Sequence, residues 1–287
     1  MSLRIESNDA MDSDSRQRPK RLKKCDGFGT VVLGYGRELL REVCDDRWSP
    51  CCGLVRLYAR MGLHRYNLLK GTNLQFRHVK KYQRTTGSTA CSNYYITLVA
   101  KDPATRKLLY FHTKIDEECY CKFILTCDIA RPRGTNNTDD DALIAEFYLI
   151  GSVPKCPPED LFQNSNRFYV VKGSELQQND WIRLYLELAV ATTHTNKGRN
   201  HDLSNLKILK VAIEATEDLD PPNEGSLNAL NALVYIRYED SCESRVGKDV
   251  DRIAIVKRSY SHGSFVLEGQ NMAFKSEVAH GLQNLRI

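Results

Sequence analysis

No stretch of this chain approaches the ~18 consecutive apolar residues that a membrane-spanning helix needs. The opening Met1-Ser2-Leu3-Arg4-Ile5-Glu6 lacks an apolar core, which argues against a secretory leader. Asp9, Asp12 and Asp14 argue against an organellar transit peptide, a class poor in acids. The expected location is therefore intracellular, in the nucleus or cytoplasm. The ten cysteines contain no Cys-x-x-Cys pair, so the usual spacing of a structural zinc site is missing. Cys44 stands near Cys51-Cys52, and Cys119-x-Cys121 near Cys127, but the expected reading is reduced, unreactive thiols and no metal. Two glycine pairs, Gly27-Phe28-Gly29 and Gly34-Tyr35-Gly36, are followed by neither a Lys-Ser/Thr pair nor a dinucleotide fingerprint, which removes nucleotide binding. The seven histidines are scattered and no nucleophile sits in a recognisable elbow; His112, beside Phe111, reads as structural. No catalysis and no cofactor are expected.

What is present suits a folded protein. Hydrophobic residues make up 41% and charged residues 27%, ordinary for a globular chain. A polar tail is expected over residues 1–24, holding Arg16, Arg18, Lys20, Arg21, Lys23 and Lys24 within nine positions. This run is a candidate nuclear-import signal. Its six charges exceed the whole net charge of +5. The remainder is close to neutral, so direct nucleic-acid binding by the folded part is not expected.

Beyond the tail, Leu54, Leu57, Tyr58 and Met61 recur at i, i+3, i+4 and i+7, one apolar stripe on a helix. Gly71 is placed to end it through a positive-φ turn. Strands are expected over 73–82, 94–100 and 107–115, the last two separated by a polar turn at 101–106 that contains Pro103. Residues 37–41 read as charged and helical. The run from Arg131 to Thr138, followed by Asp139-Asp140-Asp141, reads as a joint between domains at 25–133 and 142–287. Past it, 142–150 reads as a buried strand. Ile182, Leu184, Leu186, Leu188 and Val190 alternate with Arg183, Tyr185, Glu187 and Ala189, the pattern of a half-buried strand. Further strands fall at 206–213, 232–238, 252–258 and 264–269, with a hairpin at Ser261-His262-Gly263. The fold class is α+β, a helix packed on an antiparallel sheet followed by a second β-rich α+β unit. The succession 95–100 then 107–115 is echoed by 185–190 then 206–213, the trace of a degenerate repeat.

The helix Leu57-Tyr58-Ala59-Arg60-Met61-Gly62-Leu63-His64-Arg65-Tyr66-Asn67, the strand start Asn73-Leu74-Gln75-Phe76 and the strand Tyr94-Tyr95-Ile96-Thr97-Leu98-Val99-Ala100 resemble the helix and strands of plant cystatins. That resemblance implies a cystatin-like first half with an inhibitory loop at Gln83, Arg84, Thr85, Thr86 and Gly87. Here the charged Arg84 and two threonines replace the family's small apolar residues, and the loop is lengthened through Asn93. A second resemblance covers residues 45–270. Phe168-Tyr169-Val170-Val171-Lys172, Asn179-Asp180-Trp181-Ile182 and Lys210-Val211-Ala212-Ile213-Glu214 are similar to segments of a crucifer protein family whose members are named for embryo-defective and male-sterile phenotypes. It implies a reproductive or embryonic context without an established activity. The expectation is a non-catalytic module with a protein partner, in which residues 83–87 form the candidate interaction loop. The alternative is a cystatin-type inhibitor of cysteine proteases.

Overall fold

The computed structural model describes Phe28 and residues 38–44, 51–86, 91–120, 122–135, 153–193, 202–216 and 222–274. Helix α1, Gly53–Lys70, ends as its sequence directs. Gly71 takes φ 60°, and its N–H donates to Asn67 O. The Asn67 side chain then clamps the departing chain, accepting from Leu74 N at 3.0 Å and donating to Leu74 O at 2.9 Å. The expected stripe is buried at Leu57, Tyr58 and Met61 but is broader than the spacing indicated, taking in Val55, Ala59, Gly62, Leu63 and Arg65. Arg65 lies inside because its Nη2 reaches Gly263 O at 2.7 Å. Gly62 is where the helix comes closest to the sheet. A methyl group there would stand 2.0 Å from Thr113 Oγ1.

Strand β1, Glu38–Val43, precedes α1, and four strands follow it as a meander: β2 Gln75–Thr86, β3 Cys91–Lys101, β4 Leu108–Tyr120 and β5 Lys122–Pro132. The second half runs β6 Tyr169–Val170, α2 Gly173–Gln178, α3 Asp180–Thr193, β7 Leu206–Ala215, β8 Ala232–Asp240, α4 Glu243–Val246, β9 Asp251–Ser261 and β10 Ser264–Ala273. The strands form one ten-stranded sheet in the order β1-β2-β3-β4-β5-β10-β9-β8-β7-β6. Each half thus contributes a strand, a helical segment and a four-stranded meander. Their last strands meet antiparallel, with Leu125 opposite Leu267. The fold is α+β, as expected, and one hydrophobic core runs across both halves beneath α1 and α3. On the opposite face of the second half, Val153, Leu161 and Phe168 cover Ala212, Tyr235, Ile253 and Ile255.

Three expectations need correction. Residues 180–193 form helix α3, not a strand. Tyr185 and Ala189, counted as the exposed phase of an alternation, are as buried as Ile182, Leu186 and Val190. The helix lies on the sheet beside α1, so only a narrow polar stripe remains, marked by Arg183 and Glu187 four residues apart and 2.9 Å from each other. The proposed echo between 95–100 and 185–190 therefore pairs a strand with a helix. Residues 38–43 are strand because the edge of β2 supplies partners from Thr86 to Lys81. Finally, β2 continues past Tyr82, so Gln83, Arg84, Thr85 and Thr86 belong to the sheet and not to a projecting loop.

The hairpin at Ser261-His262-Gly263 forms as expected, with φ of 49° at His262 and 85° at Gly263. Two positive φ values match the twist of the strands they join.

Candidate functional site

The sheet ends on β1. One side of this strand is paired along its length with β2, Glu38 opposite Thr86 through Val43 opposite Lys81. Among the described residues no strand lies along its other side. Its side chains mix character: Leu40 is 46% and Val43 63% exposed, with Arg41 and Glu42 exposed between them. Glu42 accepts a short hydrogen bond from the Tyr82 hydroxyl, which ties the strand's end to its neighbour. Burial first, and the Glu42 carboxylate second, push that hydroxyl well above the ordinary tyrosine range. An edge strand carries a row of backbone donors and acceptors, a template for another extended segment.

A second feature lies over the seam. Glu187 of α3 bridges Arg60 of α1 at 2.6 Å. Hollows of about 380 Å³ and 460 Å³ in the groove between the helices both reach this bridge or its Arg60. The larger is walled by His64, Asn67, Gln75, Gln178 and Trp181. His64 Nε2 lies 3.0 Å from the Tyr185 hydroxyl, and its ring stacks 5.7 Å from that of Trp181. Behind the indole, at 4.9 Å, sits the guanidinium of Arg258, fully buried and donating to Leu227 O. Burial, and then this cation, hold the imidazole down at about 3. Burial pushes the Tyr185 hydroxyl up to about 12. At physiological pH both groups are neutral, so the arrangement packs the helices and supplies no charged acid or base.

That neutrality is measurable. The ring protons of His64 are expected to show no titration by NMR between pH 5 and 8, unlike those of an ordinary histidine, which titrates near 6.5. A midpoint inside that window would show that water and a counter-charge reach the ring. Because the folded value is lowered, the unfolded chain binds the extra proton as pH falls below about 6.5. Stability is therefore lost on acidification through that window.

The residues singled out in the sequence fall as follows. Gln83 and Thr85 are buried, at 2% and 6% exposed. Thr85 Oγ1 is engaged by Asn93, accepting from its N–H at 3.1 Å. Arg84 places its guanidinium over the Tyr94 ring at 5.5 Å. Gly87 and the basic run Arg16, Arg18, Lys20, Arg21, Lys23 and Lys24 lie outside the described residues, as does the strand expected over 142–150. His112 stacks on Phe28, ring centres 4.2 Å apart. Cys127 is buried against Thr113, and burial pushes its thiol up to about 11. Cys121 lies outside the described residues. No group of three or more metal-ligating side chains occurs among the described residues. None of their helices is long and apolar enough to cross a membrane. The β1 edge leaves no strand signature in the sequence, where the charged run 37–41 reads as helix.

A family model described as protein MS5 matches residues 153–267. The UPF0725 protein At1g02770 of Arabidopsis thaliana is 35% identical over 270 residues, covering 93% of this chain and 80% of its own. The chain belongs to the UPF0725 family. The UPF0725 protein EMB2204 of the same plant is 38% identical over 250 residues, covering 84% of this chain and 74% of its own. The crystal structure of MS5 from Brassica napus superposes with a TM-score of 0.61 at 34% identity, covering 78% of this chain and all of that one. The crucifer family that the sequence resembled is thus the family found, including members named for embryo-defective and male-sterile phenotypes. None of these UPF0725 or MS5 names states a reaction or a ligand.

Proposed function

We propose that this UPF0725 protein is a non-catalytic interaction module of reproductive or embryonic development that takes an extended segment of a protein partner along β1. The observation that carries the reading is the outer edge of that strand, with Leu40 and Val43 both exposed. Strand addition uses the backbone of an edge for affinity and alternate side chains for specificity. The basic run at 16–24 supports a nuclear or cytoplasmic setting for this role.

The test compares capture from floral or embryonic extract by the full chain and by a Leu40→Lys, Val43→Lys variant. Lysine on an edge strand opposes further pairing. Both positions are exposed, so stability should change by no more than about 0.5 kcal/mol each. The expected result is a reproducible partner bound at least about tenfold more weakly by the variant, about 1.4 kcal/mol. Equal capture by both proteins, or no reproducible partner, counts against the proposal. In the same series, micromolar protein is expected to leave a papain-type protease fully active. Gln83 and Thr85, which a cystatin-type inhibitor would present to the protease, are buried in β2.

A further inference from the structure

The face of the first-half sheet turned away from α1 ends in a basic patch around an exposed aromatic ring. Phe111 meets Tyr66 of α1, ring centres 4.9 Å apart, so alternation puts Tyr110 and His112 on the opposite face. There Phe28 lies flat on His112, with ring planes 7° apart. Two residues back along β4, Tyr110 is 43% exposed, and Leu108 beyond it 60%. Lys80 of β2 sets its ammonium 5.2 Å from the centre of the Tyr110 ring. Lys101 of β3 stands opposite Leu108, and the Arg133 N–H donates to Tyr110 O at 2.7 Å. Arg106 and Lys107, both exposed, immediately precede Leu108. Arg106 takes φ 60°, a left-handed conformation that glycine adopts at less cost. The acid in this turn, Asp102, is occupied: its carboxylate accepts from Ala104 N–H at 2.9 Å and from the Thr105 hydroxyl at 2.7 Å. Among the described residues, none of the five cations forms an ion pair with a carboxylate. The near-neutral total outside the tail conceals this grouping, because its members come from separate strands and turns.

We propose that this patch binds a single-stranded polynucleotide, with a base on the Tyr110 ring and phosphates on the surrounding cations. Charge complementarity commits the surface to a polyanion. The exposed ring selects among polyanions, since every unpaired base has a π-face that stacks on an aromatic side chain, and a duplex keeps those faces covered. Unpaired bases stack in this way on aromatics carried by the face of a four-stranded sheet in a common class of RNA-binding module. An anionic bilayer asks instead for an apolar face to insert. Leu108 and Tyr110 among five cations do not supply one. The proposal uses a face of the sheet and does not depend on strand addition at the β1 edge.

The full chain is titrated into a fluorescein-labelled oligouridylate of about 12 nucleotides and binding is read by anisotropy. In every protein compared, the basic residues of the run at 16–24 are changed to Gln, so that the tail cannot carry the signal. Lys80→Gln, Lys101→Gln and Arg133→Gln together are expected to weaken binding by at least about tenfold. Between about 50 and 200 mM salt they should also flatten the slope of log affinity against log salt by about 2, roughly 0.7 for each lost phosphate contact. Tyr110→Ala is expected to weaken binding by about tenfold and to leave the salt slope unchanged. Arg106→Gly suits the φ at that position, so the weaker binding expected of it cannot be laid to misfolding. A duplex of the same length should bind at least about tenfold more weakly than the single strand. Absence of binding at the lowest salt, or binding and salt slope unchanged by the triple variant, overturns the proposal. Full affinity in Tyr110→Ala, or equal affinity for the duplex, overturns the assignment to single strands. Vesicles containing phosphatidylserine form the last arm. Variants that lose vesicle binding while keeping the oligonucleotide overturn the proposal in favour of a lipid surface.

Discussion

Asp240→Ala is expected to lower the melting temperature by about 6–20 °C, the equivalent of about 3–5 kcal/mol for a buried pair stripped of one partner. Asp240 closes β8 with a fully buried side chain, and Arg245 of the short α4 turn is buried beside it. The guanidinium engages both carboxylate oxygens, Nε at 2.6 Å and Nη2 at 2.9 Å. Cys242 N–H adds a third donor at 3.0 Å, and Arg245 Nη1 continues to Asp202 O. One carboxylate therefore joins β8, α4 and the segment that enters β7. Removing it leaves a buried cation with no anion, which is why the expected loss is large.

The same pair sets a pH dependence with a definite sign. Burial by itself would raise the Asp240 carboxyl, but the Arg245 hydrogen bonds and the Cys242 N–H outweigh it, and the folded value is lowered. A lowered carboxyl contributes stability that is fully present above the ordinary aspartate value of about 4 and is lost as pH falls through the depressed one. The difference in unfolding free energy between the natural protein and Asp240→Ala should be constant from pH 8 to about 5 and close at lower pH. Urea titrations across that range test it. A gap that widens on acidification would mean that the carboxyl is not held down.

The second large effect is steric. Alanine is worth about 0.5–1 kcal/mol more than glycine inside a helix, so propensity alone makes Gly62→Ala stabilising. The opposite is expected. The added methyl would lie 2.0 Å from Thr113 Oγ1 and 2.6 Å from Thr113 Cβ. Thr113 is 1% exposed, so there is no room to turn away. Trimming Thr113 to alanine would not relieve the contact, because its Cβ is itself too close. Overpacking a filled core costs about 1–3 kcal/mol, and this contact belongs at the upper end. Net of propensity, about 2 kcal/mol should be lost, a fall of about 4–8 °C by calorimetry. Gly53→Ala is the control. Its site at the start of α1 has nothing within 4 Å, so no fall is expected. Equal behaviour of the two variants would show that α1 does not rest on β4 through Gly62.

Much of the fold was legible wherever local geometry decides the outcome. The end of α1 follows from Gly71, the β9–β10 hairpin from His262-Gly263, and β3 and β4 from the alternation that puts Tyr94, Ile96, Leu98, Phe111 and Ile115 on one buried face. Helix α3 was not legible because period is a reliable sign only when one face meets water. With the sheet below and α1 alongside, Trp181, Tyr185 and Ala189 are buried together with every second residue. The apolar pattern then fits a strand as well as a helix. At the candidate site, β1 is not legible, because six residues of mixed charge and aliphatic character have no preference strong enough to resist the edge that β2 offers.

By itself, then, the sequence determined the local elements that backbone sterics and periodicity dictate: the helix stop, the tight turns, the alternating strands and the kinship with the crucifer family. Tertiary structure alone decided that β5 and β10 join the halves into one sheet and that α1 and α3 lie side by side under the Arg60–Glu187 bridge. The reason is physical. Steric limits on φ and ψ act on neighbours and leave a mark in the residue order. Pairing between distant surfaces depends on how complementary whole faces are, and no short spacing records that.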